Sequence, residues 1–206
     1  MKLLEIRKLG CVMVVAGLLA AASGGALAQG VKNSINVVVG GVPPIGYVNA
    51  TVVMLEYERL ITQKLSVFVR GSSLKYKYDD DEYEEEGDGR GFGAGVRFFP
   101  QNGLKGFYVG GAVSSFKSTW DWIDDKGTSF TSRGDGESTS IQWGAEVGYR
   151  FNLGTHVSLT PALHVGSWLG GDTTCNKTSP PPAGTCDKES QLGFYGAVSV
   201  ALGIAF

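Results

Sequence analysis

Residues 191–206 read QLGFYGAVSVALGIAF, and this stretch decides the fold. Taken every second residue, Leu192, Phe194, Val198, Val200, Leu202, Ile204 and Phe206 are large and apolar, with Gly196 the exception. Between them stand Gln191, Gly193, Tyr195, Ala197, Ser199, Ala201, Gly203 and Ala205, mostly small and all uncharged. A period of two predicts a strand, because successive side chains of a strand point to opposite faces. In a water-soluble sheet the second face would carry charge. A bulky face backed by a small one instead suits a wall with lipid outside and a narrow interior within.

The same alternation recurs upstream. It predicts strands over residues 33–41, 47–60, 65–78, 90–100, 106–122, 139–152 and 156–170, eight with the last. Outward-facing residues include Ile35, Val37 and Val39; Val53, Leu55 and Tyr57; Leu65, Val67 and Val69; Phe92, Ala94, Val96 and Phe98. They continue with Ile141, Trp143, Val147, Tyr149 and Phe151, then Val157, Leu159, Leu163 and Val165. Connections at 62–64, 101–105 and 153–155 are short, whereas 79–89, 123–138 and 171–190 are long and polar. Short turns on one side and long loops on the other define the fold class: all-β, an eight-stranded antiparallel up-and-down transmembrane β-barrel with both termini on the periplasmic side. Only closure lets a sheet sit in lipid, since it leaves no edge of unpaired backbone groups. Aromatic residues near the strand ends predict two interfacial girdles, one of Tyr57, Phe98, Phe107, Phe151 and Phe206, the other of Trp120, Trp122, Trp168 and Phe194.

The compartment is legible in the first residues. Lys2, Arg7 and Lys8 precede an apolar run from Gly10 to Ala22, and Ala26-Leu27-Ala28 offers a cleavage site. Residues 1–28 are therefore expected to be a signal peptide and residues 29–206 the outer-membrane β-barrel domain. The chain has 206 residues with a formal net charge of −2, and the leader holds a net +2, leaving −4 on the remainder. That balance argues against nucleic acid as a partner, which calls for a basic face. Glycine occurs 31 times, roughly double the ~7% of ordinary chains. Beyond the leader only Cys175 and Cys186 remain, and two close cysteines in an exported chain predict a disulfide.

The segments VMLEYERLITQKLSVFVRG, GAGVRFFPQNGLKGFYVGGAV and EVGYRFNLGTHVSLTPAL, with a final strand ending on Phe206, resemble the OmpA/OmpX/OmpW-like superfamily of small outer-membrane β-barrel domains. The resemblance covers residues 33–206 and speaks to architecture. It implies location in the bacterial outer membrane and contact with outer-membrane lipid and lipopolysaccharide. It also implies Phe206 as the C-terminal signal read by the barrel assembly machinery. Members of that group include structural barrels, adhesins, small-solute conduits and a few lipid-modifying enzymes.

The inward positions carry Glu56, Glu58, Arg70, Arg97, Glu146 and Arg150. Three acids and three arginines inside a narrow barrel must pair, because an unpaired buried charge is costly. They predict a lumen network, read first as a structural plug and second as a gate. Glycines at every second residue of 89–95 lie within a strand, where they thin one face and do not form a phosphate loop. The acidic block Asp79, Asp80, Asp81, Glu82, Glu84, Glu85, Glu86 and Asp88 is a candidate cation-binding loop, its carboxylates suited to divalent ions; the like charges predict a solvated, mobile segment. His156 and Ser158 have the spacing of a histidine–serine pair in lipid A deacylases, but Leu159 stands where that family has asparagine. No catalytic residues, metal or cofactor are therefore assigned. The expected role is that of a monomeric, non-enzymatic barrel with a structural or surface-interaction function. A narrow conduit for small solutes is the alternative, and a lipid A-modifying hydrolase the third reading.

Overall fold

The computed structural model describes residues 32–42, 48–101, 103–127, 129, 131–169, 171–179, 184–185 and 193–206. The leader and Cys186 lie outside them. Among the described residues ten strands form: β1 (Asn33–Val42), β2 (Val48–Leu60), β3 (Leu65–Asp79), β4 (Glu84–Phe98), β5 (Gly106–Asp124), β6 (Ser132–Leu153), β7 (Val157–Leu169), β8 (Thr173–Ser179), β9 (Gly184–Thr185) and β10 (Gly193–Ala205). Eight of them close a barrel. Strands β1 to β7 pair in sequence order, and β10 pairs with both β7 and β1. The seam is antiparallel, with Val37 opposite Leu202 and Val39 opposite Val200. Phe206 fastens it: Asn33 N donates to Phe206 O at 2.9 Å, and Phe206 N donates back to Asn33 O at 2.9 Å.

The assignment of faces holds on every strand whose faces the sequence resolved. Phe92, Val113, Leu163, Val165 and Leu202 are more than half exposed, and Phe194 is 90% exposed. Glu58, Ser34 and Ser66 are fully buried on the opposite face. An apolar face turned outward and a polar face turned inward is the pattern of a wall in lipid, not of a soluble core.

The strands run on past this belt, which corrects the reading of two long connections as loops. Residues 84–88 belong to β4 and residues 132–138 to β6, so β3, β4, β5 and β6 rise together as a polar sheet. Cross-strand partners explain why. Lys75 lies opposite Asp88 and Lys77 opposite Glu86, so the acidic block has cations beside it. Residues 132–138 are rich in glycine and serine, but Trp120 and Trp122 lie against Gly136 and Gly134 and supply the missing side-chain surface. The third long connection contains the β8–β9 hairpin, which pairs onto β6 outside the barrel.

The expected second girdle is also corrected. Phe194 faces outward, but Trp120, Trp122 and Trp168 share the inward side of their strands and are half-buried. Parity decides this, because Trp120 falls on the same face as Tyr108 and Phe116. Of the other expected girdle, Tyr57, Phe98, Phe107 and Phe151 face outward, and Phe206 is half-buried at the seam.

Inward glycines are where inward aromatics lie flat. Phe116 covers Gly89 and Gly91, Phe68 covers Gly95, and Tyr195 covers Gly144 and Gly166. A Cβ on Gly148 would stand 2.6 Å from the Cζ of Tyr108. An eight-stranded interior has room for only one large side chain across each such place.

Candidate functional site

Strand parity on β2, β3, β4 and β6 brings all six expected lumen charges together in a layer toward the short-turn end of the barrel. Arg97 is the hub. Its Nη1 donates to Glu56 Oε1 at 2.5 Å and its Nη2 to Glu56 Oε2 at 2.8 Å, a two-pronged pair. Nη1 also lies 3.1 Å from Glu58 Oε2, and Nε donates to Glu146 Oε1. Arg150 Nη2 donates to Glu58 Oε2 at 2.6 Å. Arg70 is the outlier, with Nη1 3.9 Å from Glu146 Oε2 and no hydrogen bond from its guanidinium to a described residue. The planar fork of arginine is what allows one side chain to serve three carboxylates.

Neutral groups complete the network. Ser66 Oγ donates to Glu58 at 2.6 Å, Asn36 Nδ2 to Glu56 at 3.0 Å, and Ser34 Oγ to Asn36 Oδ1 at 2.8 Å. His164 Nε2 and Ser199 Oγ are 2.7 Å apart, and His164 Nδ1 is 3.6 Å from Glu146. Aromatic rings pack on the guanidinium groups: Arg97 sits 4.1 Å over Phe68 and Arg150 5.4 Å from Phe99. Sequence reasoning missed Ser34, Asn36, Phe99 and Tyr108 as members of this layer. The signal for the first two was present, since Ile35, Val37 and Val39 facing outward leave them facing in.

The network divides the interior. On its extracellular side lies a cavity of about 320 Å³ with walls of Tyr76, Phe116, Trp168 and Tyr195. On its periplasmic side lies one of about 380 Å³, lined in part by Lys32, Leu104, Lys105 and His156. Below the network, Phe99, Leu104 and Tyr108 pack into a small apolar cluster. Among the network residues the free space is about 10 Å³, roughly the room one water needs.

The acidic residues are distributed differently from a single loop. Asp80 closes the turn at 80–83 by accepting from the backbone N of Tyr83 at 2.6 Å and of Glu82 at 3.0 Å. Asp79 and Glu84 share Lys77 and Lys126, with Lys126 Nζ 2.9 Å from Asp79 and 3.0 Å from Glu84. Hydrogen bonds from Lys126 and Lys77 hold the Asp79 carboxyl below its usual range, and the same two lysines do so for Glu84. Glu85 accepts from the hydroxyls of Tyr76 and Tyr83 at 2.7 and 2.6 Å. Asp81 and Glu82 are exposed in the turn, and Glu86 and Asp88 face outward on β4. Among the described residues no three His, Cys, Asp or Glu side chains converge as a metal-ligand set.

Cys175 lies on β8 opposite Gly136, and its expected partner Cys186 falls outside the described residues. His156 Nδ1 is 3.0 Å from Ala205 O at the periplasmic end, while Ser158 faces the lumen at 2% exposure.

No family model matches the sequence, and no curated protein matches it. Solved structures do. The chain is similar to a major outer membrane protein from Thermus thermophilus at 12% identity and a TM-score of 0.53, over 83% of this chain and 99% of that one. It is also similar to Ail, the attachment invasion locus protein of Yersinia pestis, solved in complex with the heparin analogue sucrose octasulfate. That match has 12% identity, a TM-score of 0.50, and covers 86% of this chain and 100% of that one. At these identities the shared property is the fold, that of small bacterial outer-membrane barrels. With its outward apolar belt, the chain has the fold of these outer-membrane β-barrels.

Proposed function

We propose that the chain is a non-catalytic barrel, closed to ions, that supports the outer membrane as a monomer and presents its protruding polar sheet to partners outside the cell. One observation carries this reading: five of the six lumen charges pair directly, Arg70 stands 3.9 Å from Glu146, and the space left among them holds about one water. Breaking such pairs without replacing them costs several kcal/mol, about 3–5 for a buried pair, so an open path is not the resting state. The belt contacts lipid and lipopolysaccharide, and the final strand with Phe206 is the segment the assembly machinery reads. In planar bilayers the purified protein is expected to give no unitary current steps; steady steps from every inserted barrel would overturn the reading.

The conduit reading has one observation in its favour, the pair of cavities on either side of the network. Arg70 and Arg97 would have to move for solute to pass. The hydrolase reading has none. Ser158 sits inside the lumen near the periplasmic end, and lipid A occupies the outer leaflet at the other end. Mass spectrometry of lipid A from cells with and without the protein is expected to show identical species.

A further inference from the structure

We propose that the extracellular cavity of the lumen is a binding site for a small aromatic organic anion, with its ring between aromatic walls and its anionic head on Arg70. The inference goes beyond the role proposed above, since a closed barrel can hold a ligand without passing it. Arg70 is the observation that carries it. Its side chain is only 11% exposed, yet its guanidinium makes no hydrogen bond to a described residue and reaches a carboxylate only at 3.9 Å. A guanidinium carries five donors, and those of Arg70 are reachable from the cavity, whereas the Nη1 of Arg150 is sealed without a partner among the described residues. Arg97 and Arg150 take the direct bonds of Glu56, Glu58 and Glu146, whereas Arg70 borders both the network and the cavity.

The walls fit the rest of such a molecule. Phe116 and Trp168 meet edge to face at 5.4 Å between centroids, and Trp168 and Tyr195 lie 6.0 Å apart. Tyr76 and Leu74 line the same space, whose volume of about 320 Å³ is at the lower end of small-molecule sites, which run from about 300 to 1,000 Å³. Ser72, Ser114 and Gln142 add neutral hydrogen-bonding groups. An apolar pocket with a few convergent polar groups and one arginine selects an amphipathic anion, because a guanidinium pairs with a carboxylate by two parallel bonds.

The test is isothermal titration of the full barrel in lipid nanodiscs with 2-naphthoate, against its neutral isostere 2-naphthamide, with empty nanodiscs subtracted. Saturable binding of one naphthoate per barrel is expected, weakened at least about tenfold for naphthamide and for Arg70→Gln, as loss of a charge-assisted pair requires. Ala197→Trp fills the cavity from the β10 wall while leaving Arg70 itself unaltered and is expected to abolish binding. Heat-modifiable migration on gels reports whether each variant is folded. If Arg70→Gln does not fold, the naphthamide and Ala197→Trp arms still decide. Absence of saturable binding, equal affinity for the amide, or unchanged binding to Ala197→Trp would each overturn the proposal.

Discussion

Replacing Arg97 by methionine is the sharpest perturbation of the lumen. Methionine keeps much of the length and stays apolar, so the change removes charge with little volume. Arg97 meets three carboxylates, and they do not lose equally. Glu58 keeps Arg150 at 2.6 Å and Ser66, and Glu146 keeps Arg70 at 3.9 Å. Among the described residues Glu56 keeps only the amide of Asn36 at 3.0 Å. It becomes the uncompensated buried charge, and such a vacancy costs about 3–5 kcal/mol. The lost stacking on Phe68 adds up to about 2 kcal/mol. Adding Glu56→Gln removes the orphaned charge while keeping an acceptor for Asn36, so the double variant should recover roughly 2 kcal/mol or more. Reversible urea unfolding in lipid vesicles, followed by tryptophan fluorescence, reads both values. If Arg97→Met lies within about 1 kcal/mol of the wild type, or the second substitution adds to the damage, the network is not holding the barrel as described.

Other outcomes follow from the same structure. Gly148→Val drives a side chain into Tyr108 and should destabilise by about 1–3 kcal/mol, whereas Gly71→Ala, outward with nothing within 4 Å, should not; the same urea titration compares them. The brace from Lys126 to Asp79 and Glu84 depends on ionised carboxylates whose pKa values are depressed, so its contribution is present at neutral pH and lost as pH falls below the ordinary carboxylate range near 4. Protection at 80–83, taken relative to the intrinsic exchange rate at each pH, should therefore fall between pH 6 and pH 3, and Lys126→Ala should show low protection already at pH 6; protection unchanged with pH in the wild type would contradict this. Reducing the disulfide expected between Cys175 and Cys186 should leave barrel melting within a few degrees of its oxidised value, because β8 lies outside the closed wall. A large fall in melting temperature would place the hairpin within the cooperative unit.

The faces of the barrel were legible because they depend on parity alone. Every outward Val, Leu and Phe named from 53 to 165 follows the period of two, and the six lumen charges follow from the same count. Strand lengths were not legible, for a physical reason. The segment DDDEYEEEGDG has a loop's composition, and its strand character comes from Lys75, Lys77 and Tyr76 on a neighbour. Likewise SRGDGES becomes sheet because Trp120 and Trp122 cover its glycines. Local propensity carries no record of such partners. The tryptophan girdle shows the reverse case. Position near a strand end suggested the interface, but parity with Tyr108, Phe116 and His164 already turned Trp120, Trp122 and Trp168 inward.

The assignment of faces is tested most directly by two single-tryptophan variants in vesicles of acyl-chain-brominated lipid, one keeping Trp143 and one keeping Trp168. Trp143 is 47% exposed on the outer wall and Trp168 lines the inner cavity. Bromine should quench Trp143 strongly and leave Trp168 nearly as bright as in unbrominated lipid. Equal quenching of both, or strong quenching of Trp168 alone, would contradict a wall with lipid on its apolar side and paired charge at its axis.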